Sequence, residues 1–376
     1  MSEVPRLTDG VVTLRAPLES DVPGSVEQVT DPVTQAWTEV PHDYTPEHAR
    51  WFLLEHVPAG WAEDREWCFA VEAYDEGGRP RFAGTVSLVP ERGGRAEVAY
   101  GAHPWARGRG ILERALRLLL TWGFEEQGLA AVQWMSRRGN WPSRRLAWKV
   151  GFTCDGLLGG WLPTGVPGEL AETWVGTLPR GVDLAPRSPW LQAPRLVGER
   201  VVLRRTRDDD AGRVLEACTD ERTAYWLGQL PDPYTPELAH QFVARREEDL
   251  AAARAVHWVL ADPGTDVLLG VVSLMWRGPG LDCEVGYWAH PQARGRGAMT
   301  EAVRLAVRHA VVDVEDGGLG LPRLTAYAAV DNTASRHVLE ANGFRQTGVE
   351  RAAAEVRDGR HDLVGYDLLA AEVTAP

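Results

Sequence analysis

The chain repeats itself once, with a period of about 190 residues, which suits two tandem copies of one domain and is too long for a solenoid. Leu14-Arg15 matches Leu203-Arg204, and Asp21 matches Asp210. Thr30-Asp31 matches Thr219-Asp220, and Tyr44-Thr-Pro-Glu47 matches Tyr234-Thr-Pro-Glu237. Gly84 with Val-Ser-Leu88 matches Gly270 with Val-Ser-Leu274. A glycine-rich turn follows in each copy: His103-Pro-Trp-Ala-Arg-Gly-Arg-Gly110 and His290-Pro-Gln-Ala-Arg-Gly-Arg-Gly297. Finally Asn140, Ser143 and Gly151-Phe152 match Asn332, Ser335 and Gly343-Phe344. The order holds throughout. Pro179, Pro186, Pro189 and Pro194 mark a stretch with no periodic pattern, which reads as a semi-rigid connector. We therefore expect a first domain over 1–178, a linker over 179–194 and a second domain over 195–376.

Each copy alternates strand and helix patterns. Extended runs (96–101 and 283–288) lead into the glycine turns, and one-faced apolar helices follow over 111–124 and 299–312. Thr-Pro-Glu opens an earlier helix in both copies, with threonine as cap and proline in the first turn. The fold class is α/β: two domains, each a mixed, mostly antiparallel sheet flanked by helices. A strand, a glycine-rich turn and a helix start together make an anion cradle. The glycines let backbone approach a ligand, and the unpaired N–H groups of the helix start point outward.

Composition excludes some partners. A net charge of −13 argues against non-specific nucleic-acid binding, and is compatible with a cationic acceptor or with simple solubility. Four cysteines without C-x-x-C spacing, and no zinc-like His/Cys cluster, predict reduced thiols and no metal. The segment Met1-Ser-Glu-Val-Pro-Arg6 carries no leader pattern, and no apolar run reaches the roughly 20 residues of a membrane span. A cytoplasmic protein is expected.

The ordered set of glutamate strand, glycine turn with helix, and Asn-x-x-Ser with Gly-Phe resembles the GNAT superfamily of acyl-CoA-dependent N-acyltransferases, closest to its RimJ/RimL-type branch. The resemblance covers nearly all of both copies. The family's pyrophosphate motif is Q/R-x-x-G-x-G/A. The second copy matches it in full with Gln292, Arg294, Gly295, Arg296 and Gly297, ahead of Ala298. The first matches with Arg107, Gly108, Arg109 and Gly110 but has Trp105 in place of glutamine. The resemblance implies acetyl-CoA as acyl donor, with Asn332 and Ser335, or Asn140 and Ser143, along its pantetheine arm. It also implies a primary amine as acceptor, either a small molecule or a protein N-terminus.

An aliphatic amine must lose a proton before it attacks the thioester, at a cost of roughly 4 kcal/mol at neutral pH. Glu284 and Glu97 occupy the strand position where relatives often place a base acting through water. The same position also suits a glutamate on a wet strand face. The tyrosine that many relatives use as acid is replaced by Leu339 and Ala147, which leaves Ser335 and Ser143 as candidates. Strand backbone N–H groups beside 285–287 or 98–100 would hold the oxyanion. His103 and His290, each before a proline, read as structural. Trp37, Trp51, Trp61, Trp226 and Trp258 precede the cofactor motifs, where a minority could line an aromatic acceptor pocket. The second copy is expected to be the active one. The competing reading is a non-catalytic acyl-CoA sensor or scaffold, and a homodimer stays open.

Overall fold

The computed structural model describes residues 4–276 and 283–373. The first three residues of the segment read for a leader lie outside them. Two compact units divide the chain, one over Met1–Arg187 and the other over Ser188–Pro376. The proline-rich stretch therefore belongs to both. Val182 and Leu184 pack on the first core, while Leu191 and buried Ala193 pack on the second.

Each unit is built on one eight-stranded sheet. In the first unit the strands Leu7–Thr8, Val12–Arg15, Trp67–Tyr74, Pro80–Glu91 and Arg95–Ala102 run side by side and antiparallel. Ala131–Arg137 then pairs parallel to Arg95–Ala102, and the hairpin of Gly156–Pro163 and Leu170–Pro179 completes the sheet. The second unit repeats this plan, with its parallel pair between Cys283–Ala289 and Arg323–Ala329. Parallel neighbours need a crossover, and the one-faced helices Ile111–Glu125 and Ala298–Val311 supply it. Their buried stripes, Ala115, Leu116, Leu119 and Leu120 in one and Ala302, Val303, Ala306 and Ala310 in the other, sit in the two main cores. The helices expected from the apolar periodicity are thus present to within a residue at each end.

The opposite sheet face is covered by the helices that precede the central strands. Thr45 and Thr235 cap two of these, each accepting the N–H three residues on at 3.4 Å, with proline in the first turn. In the first unit the helix continues past His56 to Ala62 through a π-helical turn over Phe52–His56.

The repeated Arg and Asp anchors are buried ion pairs. Arg15 donates two hydrogen bonds to Asp21, at 2.7 and 2.9 Å, and a third to Glu72 at 2.8 Å. Arg204 does the same to Asp210, at 2.9 and 2.8 Å, and to Asp266 at 2.9 Å. Each aspartate also accepts a backbone N–H, from Leu18 or Arg207, and so fixes the turn into the first helix. Cys68, Cys218 and Cys283 are buried thiols, whereas Cys154 is exposed. No helix among the described residues is long and apolar enough to cross a membrane.

Candidate active site

The parallel strand pair is short in both units. In the second unit its register ends at Glu284 opposite Thr325, and the two strands then part. A cleft of about 780 Å³ lies in the opening. Tyr287, Trp288 and Ala289 line one side, and Tyr327, Ala328 and Ala329 the other. The helix start Gly297–Thr300 and the Asn332–Ser335 segment form an end wall, while Trp226, Leu227, Glu355 and Leu363 form the far wall.

The glycine turn is held from beneath by its histidine. His290 is buried; its Nδ1 accepts the N–H of Gln292 at 3.2 Å, and its Nε2 lies 3.2 Å from Glu216. His103 repeats this with Trp105 and Glu27, at 3.3 and 3.0 Å. Burial lowers the pKa of both rings, against the raising effect of the glutamates, so the neutral form is favoured. Neither histidine lines the cleft. Gly295 and Gly297 adopt φ of +71° and +72°, a region that only glycine enters freely. Gly297 then caps the central helix without any side-chain hydrogen bond. Its first N–H groups therefore keep donor capacity on the cleft wall, which fits an anionic ligand. The first unit has the same uncapped start at Gly110, with φ of +73°.

The arginines of the motif divide. Arg294 lines the cleft, but its guanidinium donates to Asp220 and, at 2.7 Å, to Thr223. That hydrogen bond is the main reason the Asp220 carboxyl titrates below its ordinary range. In the first unit Arg107 binds Asp31 at 2.6 Å and Thr34 at 2.9 Å. Asp31 and Asp220 are N-caps of short helices, so each arginine locks one of those helices to the glycine turn. Gln292 and Arg296 are not among the cleft residues; the Gln292 side chain accepts from Arg213 at 2.9 Å. Its counterpart Trp105 donates to Phe82 O at 2.8 Å and stacks under Arg81 and Arg109. The residue that distinguishes the two motifs therefore faces away from the site.

Asn332 and Asn140 cap the helices they start, accepting the N–H of Ser335 at 3.1 Å and of Ser143 at 3.3 Å. Each serine then meets a tyrosine that our sequence reading overlooked. Tyr287 Oη lies 3.0 Å from Ser335 Oγ, and Tyr100 Oη lies 2.9 Å from Ser143 Oγ. Burial pushes both phenols up to about 12, so they hold their protons at neutral pH. The available signal was recurrence: a tyrosine stands three residues after the glutamate in both copies.

Glu284 lies just before the cleft. Cys283, Val285 and Tyr287 join the central-helix core, so alternation puts Glu284, Gly286 and Trp288 on the opposite sheet face. Glu97 has the same placement, and burial, then the charge of Glu91, raises its pKa.

The first unit carries larger side chains at two matching strand positions, one of them in the central-helix core. Arg137, at the position of Ala329, donates to Thr164 O at 3.0 Å and to Ala36 O at 2.8 Å, and stacks on Trp37. Trp134, at the position of Ala326, is buried and donates to Ser143 Oγ at 3.1 Å. The tryptophans flagged in the sequence also separate. Trp61 and Trp258 are core, Trp51 is exposed, Trp37 carries Arg137, and Trp226 lines the cleft.

Comparison with known proteins agrees with this architecture. The family described as acetyltransferase (GNAT) domain matches residues 12–153 and again 200–345. A putative ribosomal N-acetyltransferase, YdaF of Bacillus subtilis, is 30% identical over 187 residues, spanning 47% of this chain and 94% of that protein. A probable N-acetyltransferase of the same organism, YjcK, is 32% identical over 127 residues, 33% of this chain and 67% of its own length. The crystal structure of a probable acetyltransferase aligns over 47% of this chain and 97% of its own, at 29% identity and a TM-score of 0.42. With both halves matched by one domain family, the chain belongs to the GNAT acetyltransferases, as an N-acetyltransferase carrying two of their domains in tandem.

Proposed function

We propose that the second domain transfers an acetyl group from acetyl-CoA to a primary amine by direct attack in a ternary complex, and that the first domain does not turn over. The observation that carries this reading is the cleft at the strand divergence of the second domain, set against Arg137 in the first at the place of cleft-lining Ala329. Acetyl-CoA is the acyl-donor substrate. Its pyrophosphate would meet the uncapped helix start at Ala298, with Gly295 and Gly297 allowing close approach. Its pantetheine arm would run between the parted strands, past Asn332 and Ser335.

The chemistry follows from the side chains present. Glu284, on the face opposite the central helix, takes the ammonium proton through water. The free amine attacks the thioester carbonyl, whose oxygen is held by strand N–H groups near 285–287. As the C–S bond breaks, Ser335 protonates the departing thiolate and is resupplied by Tyr287, which regains its proton from the nitrogen of the tetrahedral intermediate. The phenol's high pKa makes it a reservoir rather than a strong acid. A peptide or protein N-terminus and a small polyamine both fit this scheme as acceptors. A cytoplasmic setting fits it too.

In assays of thiol release with seryl and alanyl hexapeptides, spermidine and an aminoglycoside, Glu284→Gln is expected to lower kcat/KM by about 10²-fold or more. Glu97→Gln is expected to leave it within about twofold of wild type by the same principle. Loss on Glu97→Gln alone would transfer the activity to the first domain. Coenzyme A binding without thiol release for any of these amines would favour the sensor reading.

A further inference from the structure

The second unit contains a hydrogen-bonded Ser, His and Asp that the scheme above does not use. His257 Nδ1 lies 2.7 Å from Ser273 Oγ, and its Nε2 lies 3.0 Å from Asp249 Oδ2. A carboxylate only accepts, so Nε2 carries the proton and Nδ1 accepts from the serine hydroxyl. Both His257 and Ser273 are buried. In the first unit Cys68 stands opposite Ser87 at the matching strand positions, so this cluster belongs to the second domain alone.

Its place in the sheet gives it a purpose. His257 pairs across the strands with Ser273, and Ser273 pairs with Gly286. Gly286 lies two residues beyond the end of the parallel register, where the strands part. Glu284 is the diagonal neighbour of Ser273 on the same face, about 7–8 Å away between Cα atoms. Over Gly286 sits only the flexible tip of Met275, whose terminal methyl is 2.7 Å from where a Cβ would stand. Trp288, next along this face, already lines the cleft.

We propose that Ser273, His257 and Asp249 form the exit path for the proton that Glu284 removes from the acceptor amine. This rests on the acetyltransferase reading and deepens it. Each turnover leaves one proton on Glu284, which must be cleared before the next. Water passes it to Ser273 Oγ as the serine O–H proton moves to His257 Nδ1, and the Nε2 proton moves toward Asp249. Asp249 is partly exposed and hands the proton to solvent, and reorientation of the imidazole then turns its remaining N–H back toward Asp249 for the next turnover. The net reaction is ammonium plus acetyl-CoA to amide, free thiol and one released proton.

The surrounding charges suit a relay rather than a store. Arg246 Nη1 sits 3.1 Å from each ring nitrogen and discourages a lasting imidazolium. Burial, more than any other cause, lowers the His257 pKa, with Asp249 working the other way. Arg254 holds the other oxygen of Asp249 at 3.0 Å. Burial resists ionisation of Asp249, yet the bond from His257 and the nearby cations bring its pKa below the ordinary value.

The test uses the full chain, acetyl-CoA and the most active amine of the four-member panel. Ser273→Ala is expected to lower kcat ten- to a hundredfold and to flatten the pH dependence of kcat, with acetyl-CoA affinity and amine KM unchanged. Ser273→Thr keeps the hydroxyl and is expected to retain activity within about threefold, which separates relay from packing. Wild-type kcat and pH profile in Ser273→Ala would overturn the relay while leaving the acetyltransferase reading intact. Equal losses in both variants with an unaltered pH profile would also overturn it, as a packing effect. No thiol release by the wild-type chain with any of the four amines would overturn both.

Discussion

Gly297→Val is expected to weaken acetyl-CoA binding by the second domain ten- to a hundredfold, or about 1.4–2.8 kcal/mol. The cause is backbone, not bulk. A Cβ at Gly297 would meet nothing nearer than Arg200 at 4.0 Å, so there is room for a side chain. There is no comparable room in φ, which stands at +72°, where a β-branched residue is a strained outlier costing of order 1–3 kcal/mol. The chain would relax by moving the first turn of the central helix, and the N–H groups proposed to meet the pyrophosphate would move with it. Titration calorimetry of the full chain with acetyl-CoA reads this directly. Gly110→Val is the matched control, because its glycine has nearly the same φ but lies in the domain proposed not to turn over. An unchanged isotherm for Gly297→Val would remove the glycine turn from the binding site.

Asp210→Ala is the change with the largest expected effect on stability. Asp210 and Arg204 have side chains only 4% and 7% exposed, and the pair is bidentate. Deleting one member leaves a buried guanidinium paired with the half-exposed Asp266, and removes the carboxylate that fixes the Arg207 turn. Breaking such a pair costs about 3–5 kcal/mol. Replacing both members by apolar residues, Arg204→Met with Asp210→Leu, is expected to recover much of that loss, since the desolvation penalty goes with the charges. Chemical denaturation of the two variants and the wild type measures both effects. If Asp210→Ala unfolds at the wild-type midpoint, the pair contributes no net stability.

Much of this was legible because the chain is written twice. Thr-Pro-Glu, the Gly-x-Gly turn and the one-faced helix each have a local cause, and each appears where the pattern placed it. The Arg and Asp anchors were visible as repeats, but their meaning as buried pairs required the sheet to bring strand and turn together. The motif arginines show where local reasoning stops. A charge beside a phosphate-type turn suggests an anion ligand, yet Arg107 and Arg294 are satisfied by the N-caps Asp31 and Asp220, more than 70 residues away in the chain. Tyr287, Arg137 and His257 escaped notice for the same reason. Their partners lie on other elements, and no spacing along one segment announces a contact made across a sheet.

The two domains share one fold but differ in the side chains of the strand beyond the parting. In the second, small Ala328 and Ala329 line the cleft and Ala326 lies in the core. In the first, Trp134 and Arg137 occupy the matching places. Both copies keep the serine and tyrosine pair, and the Ser273–His257–Asp249 cluster stands in the second.

Thiol release from acetyl-CoA, measured for Ser335→Ala beside Ser143→Ala in the full chain with the same amine, tests this division most directly. The account predicts a loss of about tenfold or more in kcat for Ser335→Ala and wild-type rates for Ser143→Ala. A loss confined to Ser143→Ala, or equal losses in both, would contradict it.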